Sequence, residues 1–254
     1  MKVLTVANQK GGVGKTTVTF NLGKALAQKG KRVLLIDLDP QGGLTLYAGL
    51  NPDQLEETVY QVLIGELSIH KAIKQVNGLE ILPANIDLAA AEVELINEIG
   101  RERILESALE EIKDQYDYVL IDTSPHLGLL TINALVAADK VLVPVETKYL
   151  GVRGLAILFR MIDKIRRKLK PSLGVCGIVP TFYERTTHSR QVVEELKEYF
   201  KGKVKIFEPV KKTVRFADSV AQKKSVIDLF PDSDISQTFK NLAEEVERCL
   251  KEKV

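Results

Sequence analysis

Cysteine, histidine and long apolar runs are scarce in this 254-residue chain, and each scarcity closes off a class of function. Two cysteines, Cys176 in an apolar run and Cys249 near the end, supply no disulfide framework and fit a reducing compartment. They form no CxxC pair, which disfavours ligation of an iron–sulfur cluster. His70, His126 and His188 are scattered without ligand spacing, arguing against a transition-metal centre. No stretch approaches the ~18 uninterrupted apolar residues a membrane span needs. The N-terminus enters an apolar strand directly, without a basic segment, apolar core and cleavage site, so a cytoplasmic location is expected.

The remaining composition, 45% hydrophobic and 28% charged, is that of a globular protein, and a single domain over residues 1–254 is expected. The net charge of +2 is unevenly spread: residues 1–139 hold 12 basic against 19 acidic side chains, and residues 140–254 hold 24 against 15. Such asymmetry predicts an anionic partner for one face, nucleic acid or a membrane surface.

The most informative stretch runs from Val3 to Thr17. Lys2–Ala7 reads as a buried strand and Val18–Gln28 has helical spacing, so Gly11, Gly12, Val13, Gly14, Lys15, Thr16 and Thr17 fall between a strand's end and a helix's start. Backbone N–H groups there can wrap a phosphate, because glycines permit close approach and the helix N-terminus adds positive potential. In a P-loop, Lys15 bridges the β- and γ-phosphates and the Thr16 hydroxyl ligates Mg²⁺. A second strand, Lys31–Asp37, delivers Asp37 and Asp39 to a strand's C-terminal end, the edge at which open α/β sheets bind ligands. Tyr116–Asp122 is another such run ending in an acid, ahead of Thr123-Ser124-Pro125. Together these predict a doubly wound α/β fold, a mostly parallel sheet flanked by helices.

The loop departs from the usual P-loop pattern at Gln9 and carries two lysines, Lys10 and Lys15. Read as KGGVGKTT, it resembles the deviant Walker A motif of the ParA/MinD family of P-loop ATPases. DLDPQGGLT, from Asp37, resembles that family's switch I, and YVLIDTSP its Walker B strand and switch II. The resemblance covers nearly the whole chain and implies an ATPase using ATP and Mg²⁺. It implies that Lys10 crosses a dimer interface to the partner's nucleotide, that Asp39 positions the attacking water, and that Asp122 orients Mg²⁺ through water. The implied metal residues are Thr16, Asp39 and Asp122. Gly43 stands where many relatives have Asn.

The family's ParA/Soj branch implies an ATP-dependent homodimer on the nucleoid that binds double-stranded DNA without sequence preference, released by hydrolysis that a ParB-like protein stimulates. The helix expected over residues 151–169 buries Leu155, Leu158, Ile162, Ile165 and Leu169 and carries Arg160, Lys164, Arg167 and Lys168 as a basic stripe. Arg185, Arg190, Lys211, Lys212 and Arg215 are further candidate DNA contacts, since phosphate contacts need only suitably spaced cations. No aromatics interleave with them, which favours duplex over single strands. Phe207–Ala217 resembles the family segment in which a proline, here Pro209, frames the adenine, although relatives often have Arg-Asn where Val210-Lys211-Lys212 stands.

From Ile86 to Asp114 the spacing of Leu88, Val93, Ile96, Ile104, Leu105, Leu109 and Ile112 predicts helices with acids outside. Val59–Ile64 and Ser68–Lys74 read as short helical pieces, and Leu79–Leu82 as the third strand. The closing helix, Ile235–Leu250, has a mixed-charge polar side, so a packed helix rather than stable membrane binding is expected. The alternatives are a positioning ATPase for a cargo other than DNA and a MinD-like membrane-associated regulator.

Overall fold

The computed structural model describes residues 1–148 and 152–252. β1 (Lys2–Val6) leads through the glycine-rich loop into α1 (Lys15–Gln28), then β2 (Val33–Leu38) and α2 (Gly43–Ala48). α3 (Val59–Leu63), α4 (Ile69–Ala72), β3 (Lys74–Val76) and β4 (Leu79–Leu82) follow, then α5 (Leu88–Glu94), α6 (Ile104–Glu110) and β5 (Tyr118–Thr123). The second half comprises α7 (Leu129–Ala137), β6 (Lys140–Glu146), α8 (Val152–Lys168), β7 (Gly174–Thr181) and α9 (Thr187–Tyr199). Three helices close it: α10 (Arg215–Ala221), α11 (Val226–Leu229) and α12 (Asp234–Lys251). Gly151, expected in the long helix, lies outside the described residues.

The sheet order is β3-β4-β2-β5-β1-β6-β7, all parallel except the β3 edge, confirming the doubly wound α/β expectation. β3 corrects the reading of Ser68–Lys74 as wholly helical. Asn77 and Gly78 both have positive φ, 50° and 71°, the two-residue hairpin turn that folds Lys74–Val76 back on β4.

Strand alternation sorts the core into two faces. Val33, Leu35, Tyr118 and Leu120 pack on one face with Phe20, Leu22 and Leu26 of α1 and Phe239, Leu242 and Val246 of α12. Leu34, Ile36, Val119 and Ile121 face the other way onto α3–α7, and this layer continues under β6 and β7 with Leu155, Leu158 and Ile162 of α8. α12 is packed as expected: Ile235, Phe239, Leu242, Val246 and Leu250 are all buried, each worth ~1.5–3 kcal/mol of transfer free energy. Among the described residues no helix is long and apolar enough to cross a membrane.

Residues 86–104 differ from expectation. Leu88, Ala91 and Leu95 are buried, whereas Val93 is 71% and Ile96 53% exposed. α5 has only seven residues and gives way to a 3₁₀ turn at Leu95–Asn97, so the 3.6-residue phase does not persist.

Candidate functional site

Three adjacent strands, β2, β5 and β1, bring the site together at their C-terminal ends. The loop after β1 is pinned at both ends. At its start the Asn8 side chain donates to the Pro144 carbonyl (2.6 Å) and accepts the Lys10 N–H (3.0 Å). At its crest the Thr181 hydroxyl of β7 donates to the Val13 carbonyl (2.8 Å). Gly12 and Gly14 have φ of 70° and 87°, a left-handed conformation strained for other residues. A Cβ on Gly14 would also meet the Phe182 ring at 3.6 Å. Gly14 then caps α1, so the loop's N–H groups open onto a helix N-terminus.

The two lysines are treated oppositely. Lys15 is 6% exposed, and its ammonium donates to the Lys10 carbonyl at 3.3 Å. Burial pulls its pKa below the ordinary lysine value, against the opposing pull of Asp122 and Asp39. Among the described residues it has no paired carboxylate, and a buried cation so placed fits the position of an anionic phosphate. Lys10 stays at the surface, its Nζ 2.6 Å from Glu146 at the end of β6.

The acids come from β2 and β5, where Asp37 and Asp122 are register partners on the face toward α1. Asp122 accepts the Thr16 hydroxyl at 2.6 Å and lies 3.4 Å from the Thr19 hydroxyl, one turn further along α1. Burial, then the charge of Asp37, pushes the Asp122 carboxyl up to about 8. Such a carboxylate calls for a cation, and a hydroxyl with a carboxylate is an oxygen donor set suited to Mg²⁺. Asp37 is fully buried and holds the segment after β2 in shape: it accepts the Thr45 N–H and hydroxyl, both 2.8 Å, and the Asp39 N–H, 3.1 Å. Burial raises its pKa to about 6. Asp39 stands half-buried at the mouth, its Oδ1 accepting the Gln41 N–H at 3.0 Å. Gly43 opens α2 beside Thr16, where a Cβ would lie 3.7 Å from the Thr16 hydroxyl.

A small apolar cleft of about 40 Å³ adjoins the loop, lined by Gly14, Thr17, Val18, Phe182, Val210 and Phe216 among others. Val210 takes the wall position; Pro209 precedes it half-buried and is not part of that lining. Phe182 holds a left-handed φ of 51°, a strained geometry that the surrounding turn imposes. Phe182, Phe216, Thr19 and Glu146 went unread in the sequence. Only Thr19 had a local signal, its position one turn after Thr16.

The basic residues fall into two separate groups rather than one continuous surface. Arg160, Lys164, Arg167 and Lys168 are exposed on α8, over the β6–β7 side, and have no carboxylate partner among the described residues. Lys211, Lys212 and Arg215 border a cleft of about 440 Å³ at the start of α12, on the α1 side of the sheet. Their charge is partly spent: Lys211 pairs with Asp234 (3.1 Å), Lys212 with Glu184 (2.7 Å), and Arg215 lies over the Phe230 ring. Arg185 and Arg190 are exposed, and Arg185 joins Lys211 and Arg215 in lowering the Asp234 pKa. The second group connects to the phosphate loop through buried hydrogen bonds. Asn21 of α1 donates to Tyr47 of α2 (3.2 Å) and accepts the Val226 N–H (2.9 Å), while Tyr47 bonds Ser219 of α10.

A glycine-rich loop with a buried lysine, a Thr–Asp pair and two strand-end acids define a P-loop ATPase site. A family model described as an AAA domain, AAA_31, matches residues 1–175. The chain is 42% identical over 248 residues to the sporulation initiation inhibitor protein Soj of Bacillus subtilis, covering 96% of this chain and 98% of Soj. To the chromosome partitioning protein ParA of Caulobacter vibrioides it is 41% identical over 251 residues, 97% of this chain and 94% of that protein. A solved structure of cobyrinic acid a,c-diamide synthase from Mycobacterium smegmatis, with bound ATP analogue and magnesium, superimposes with a TM-score of 0.87 at 38% identity, covering 98% and 95% of the two chains. The chain belongs to the ParA/Soj family of P-loop ATPases.

Proposed function

We propose that residues 1–254 form one Mg²⁺-dependent ATPase domain of the DNA-partitioning type, cycling between an ATP-bound dimer on DNA and a released form. The observation that carries this reading is the opposition within one loop between Lys15, buried and without a carboxylate partner among the described residues, and Lys10, exposed and held by a surface ion pair. The backbone of Gly11–Thr17 and the Lys15 ammonium hold the ATP phosphates. Thr16, Asp122 and Asp39 are the residues that would hold Mg²⁺, with the Thr16 hydroxyl already bonded to Asp122. When bound, Mg²⁺ would neutralise charge that develops on the phosphate groups.

Asp39, free of tight burial, turns from the Gln41 N–H to position the attacking water. Lys10 leaves Glu146 to reach the nucleotide of a second copy, closing a face-to-face dimer. The 42% identity to Soj and 41% to ParA support the partition reading, and with it a nucleoid location and a ParB-like protein that stimulates hydrolysis. Doubling of the basic groups in the dimer gives a cationic surface for duplex DNA. Val210, Phe182 and Phe216 offer the apolar wall for the adenine, with Pro209 framing the turn behind Val210.

The test is binding to random-sequence duplex DNA with ATP, with ADP and without nucleotide, across a salt series and beside anionic liposomes. Wild type and Asp39→Ala are both run. ATP-dependent retention that weakens as salt rises is expected, because phosphate contacts release counterions. Asp39→Ala is expected to stay on DNA long after wild type has hydrolysed its ATP. Liposome binding without DNA binding would move the assignment to a membrane-associated regulator, and wild-type turnover in Asp39→Ala would remove the water-positioning role.

A further inference from the structure

Cys176 of β7 and Cys249 of α12, far apart in the chain, meet in the core layer between the sheet and the closing helix. Both are free thiols, 4% and 8% exposed. The aim of Cys176 depends on an irregularity in the β6–β7 ladder. Val141 pairs with Val175 and Leu142 with Gly177, so Cys176 is an extra residue without a partner on β6. Val175 and Ile178 therefore both face the α8 layer, while Cys176 and Val179 both face the α12 layer. Such bulges re-aim side chains, here a thiol toward the last turn of α12.

Cα atoms of β7 and α12 approach within 8 Å, and the Cys176 thiol donates to the Cys249 sulfur. A third buried group joins them. Lys140, the first residue of β6 and 7% exposed, donates from Nζ to the Cys249 carbonyl at 2.7 Å. The two thiols are thereby made unequal. The bond from Cys176 pulls the Cys249 pKa below the ordinary thiol value, burial opposing and the Lys140 charge assisting. The same bond, with burial, pushes the Cys176 thiol up. Packing alone asks only for small apolar side chains here, and an ammonium buried beside them costs solvation without adding apolar contact. A thiol biased toward thiolate, beside one that keeps its proton, is the arrangement of an attacking and a resolving cysteine.

We propose that Cys176 and Cys249 are a redox-responsive staple, thiols at rest and closed by a peroxide into an intrachain disulfide that fastens α12 to β7. The Cys249 thiolate attacks one peroxide oxygen and the O–O bond breaks. The other oxygen leaves as hydroxide, takes up the proton that Cys249 gave up and becomes water, and Cys249 becomes a sulfenic acid. The Cys176 sulfur then attacks the Cys249 sulfur, the S–O bond breaks, and the departing hydroxide takes the Cys176 proton as a second water. Two thiols thus lose two electrons, and one peroxide is reduced to two waters. Sulfurs already in contact need side-chain rotation rather than a backbone shift to bond. The peroxide enters through the last turn of α12, because helix ends open at little cost in free energy. In a reducing compartment the pair rests as thiols, and its closure reports an oxidant. The pair sits toward the N-terminal ends of β6 and β7, away from the phosphate loop, and the staple does not rest on the ATPase reading.

The test uses the whole chain, reduced and freed of reductant, with hydrogen peroxide as the probe. After denaturation and alkylation the intact mass is expected to show the loss of two hydrogens and no added alkyl group, and peptide mapping to join the two cysteines. Oxidised protein is expected to melt about 5–15 °C above reduced protein, because the crosslink restricts the unfolded chain. Cys176→Ala and Cys249→Ala should each lose that rise, and Cys176→Ala should accumulate a sulfenic acid at Cys249 that dimedone traps. Full alkylation of both thiols after peroxide, a sulfinic acid at wild-type Cys249 without a disulfide, or a disulfide between two chains would each overturn the staple. An intrachain disulfide with an unchanged melting temperature would overturn the fastening of α12. Lys140→Met is expected to slow closure severalfold and Lys140→Arg to restore it; equal rates in all three proteins would overturn the part given to Lys140.

Discussion

The two ends of the phosphate loop are five residues apart and built on opposite principles. At the Lys15 end everything is fixed: the lysine is buried, Thr181 holds Val13, Gly14 turns against Phe182, and Thr16 is already bonded to Asp122. At the Lys10 end the backbone is pinned by Asn8 but the side chain is free to move, held by one exposed ion pair. A preorganised group gains affinity because no ordering cost remains at binding. A loosely held one can change partners for at most ~1 kcal/mol, the usual worth of a surface ion pair. On the proposed reading the buried end is the binding end, and the exposed end is the one available to a second molecule.

The largest effect comes from emptying the buried end. In the proposed site Lys15 makes two charge-assisted bonds to phosphate oxygens, each worth about 1.5–3 kcal/mol. Lys15→Ala is expected to weaken ATP binding by about a hundredfold or more, measured by titration calorimetry. Lys10→Ala should leave that affinity nearly unchanged. Equal losses in both variants would erase the distinction between the two ends.

The acids behind Lys15 give a second way to sharpen it. The fold raises Asp37 to about 6 and Asp122 to about 8, so both favour the protonated form in the native state. Below about 3.8, the ordinary aspartate value, native and unfolded chains both hold these protons, and no stability depends on pH there. As pH rises through about 6 for Asp37 and about 8 for Asp122, the unfolded chain loses its protons first and native stability falls. The Asp37 share is on the order of 3 kcal/mol, from a shift of about two units. Denaturant melts in EDTA should therefore show stability declining from pH 4 to 8, and Mg²⁺ with nucleotide should flatten the upper part of the decline. A flat profile in EDTA would mean that these carboxyls are solvated.

How much of this was legible in the sequence depended on how local its causes were. The cradle was legible because strand, glycines, lysine and threonine are contiguous and each has its role within a few residues. Asp39 and Asp122 were legible because strand ends in an open α/β sheet converge by topology. The β3 hairpin carried a local signal, Asn77-Gly78, and was lost in a run that also reads as helix. Val93 and Ile96 were misplaced because α5 ends after two turns and the apolar phase ends with it. Pro209 sat one residue from the position that lines the cleft, which only the crossing of the segment beside Phe182 decides. The basic residues looked like one surface because spacing along the chain does not say which side of the sheet an element covers.

Glu146 was invisible for the same reason: it lies 136 residues from Lys10 in sequence. It also gives the smallest and most pointed prediction. Glu146 holds Lys10 within its own subunit, so any reach of Lys10 to a second copy must first break this pair. Glu146→Gln removes that competition while keeping the size of the side chain. Stability should change by less than ~1 kcal/mol, because the pair is exposed. The ATP-dependent dimer, followed by sedimentation, should then form up to about thirtyfold more readily, because closure of the symmetric dimer breaks one such pair in each subunit and each returns up to ~1 kcal/mol. Weaker dimerisation of Glu146→Gln would instead show that Glu146 guides Lys10 in the closed dimer, and the pair seen in the single chain would be a stage on the way to closure.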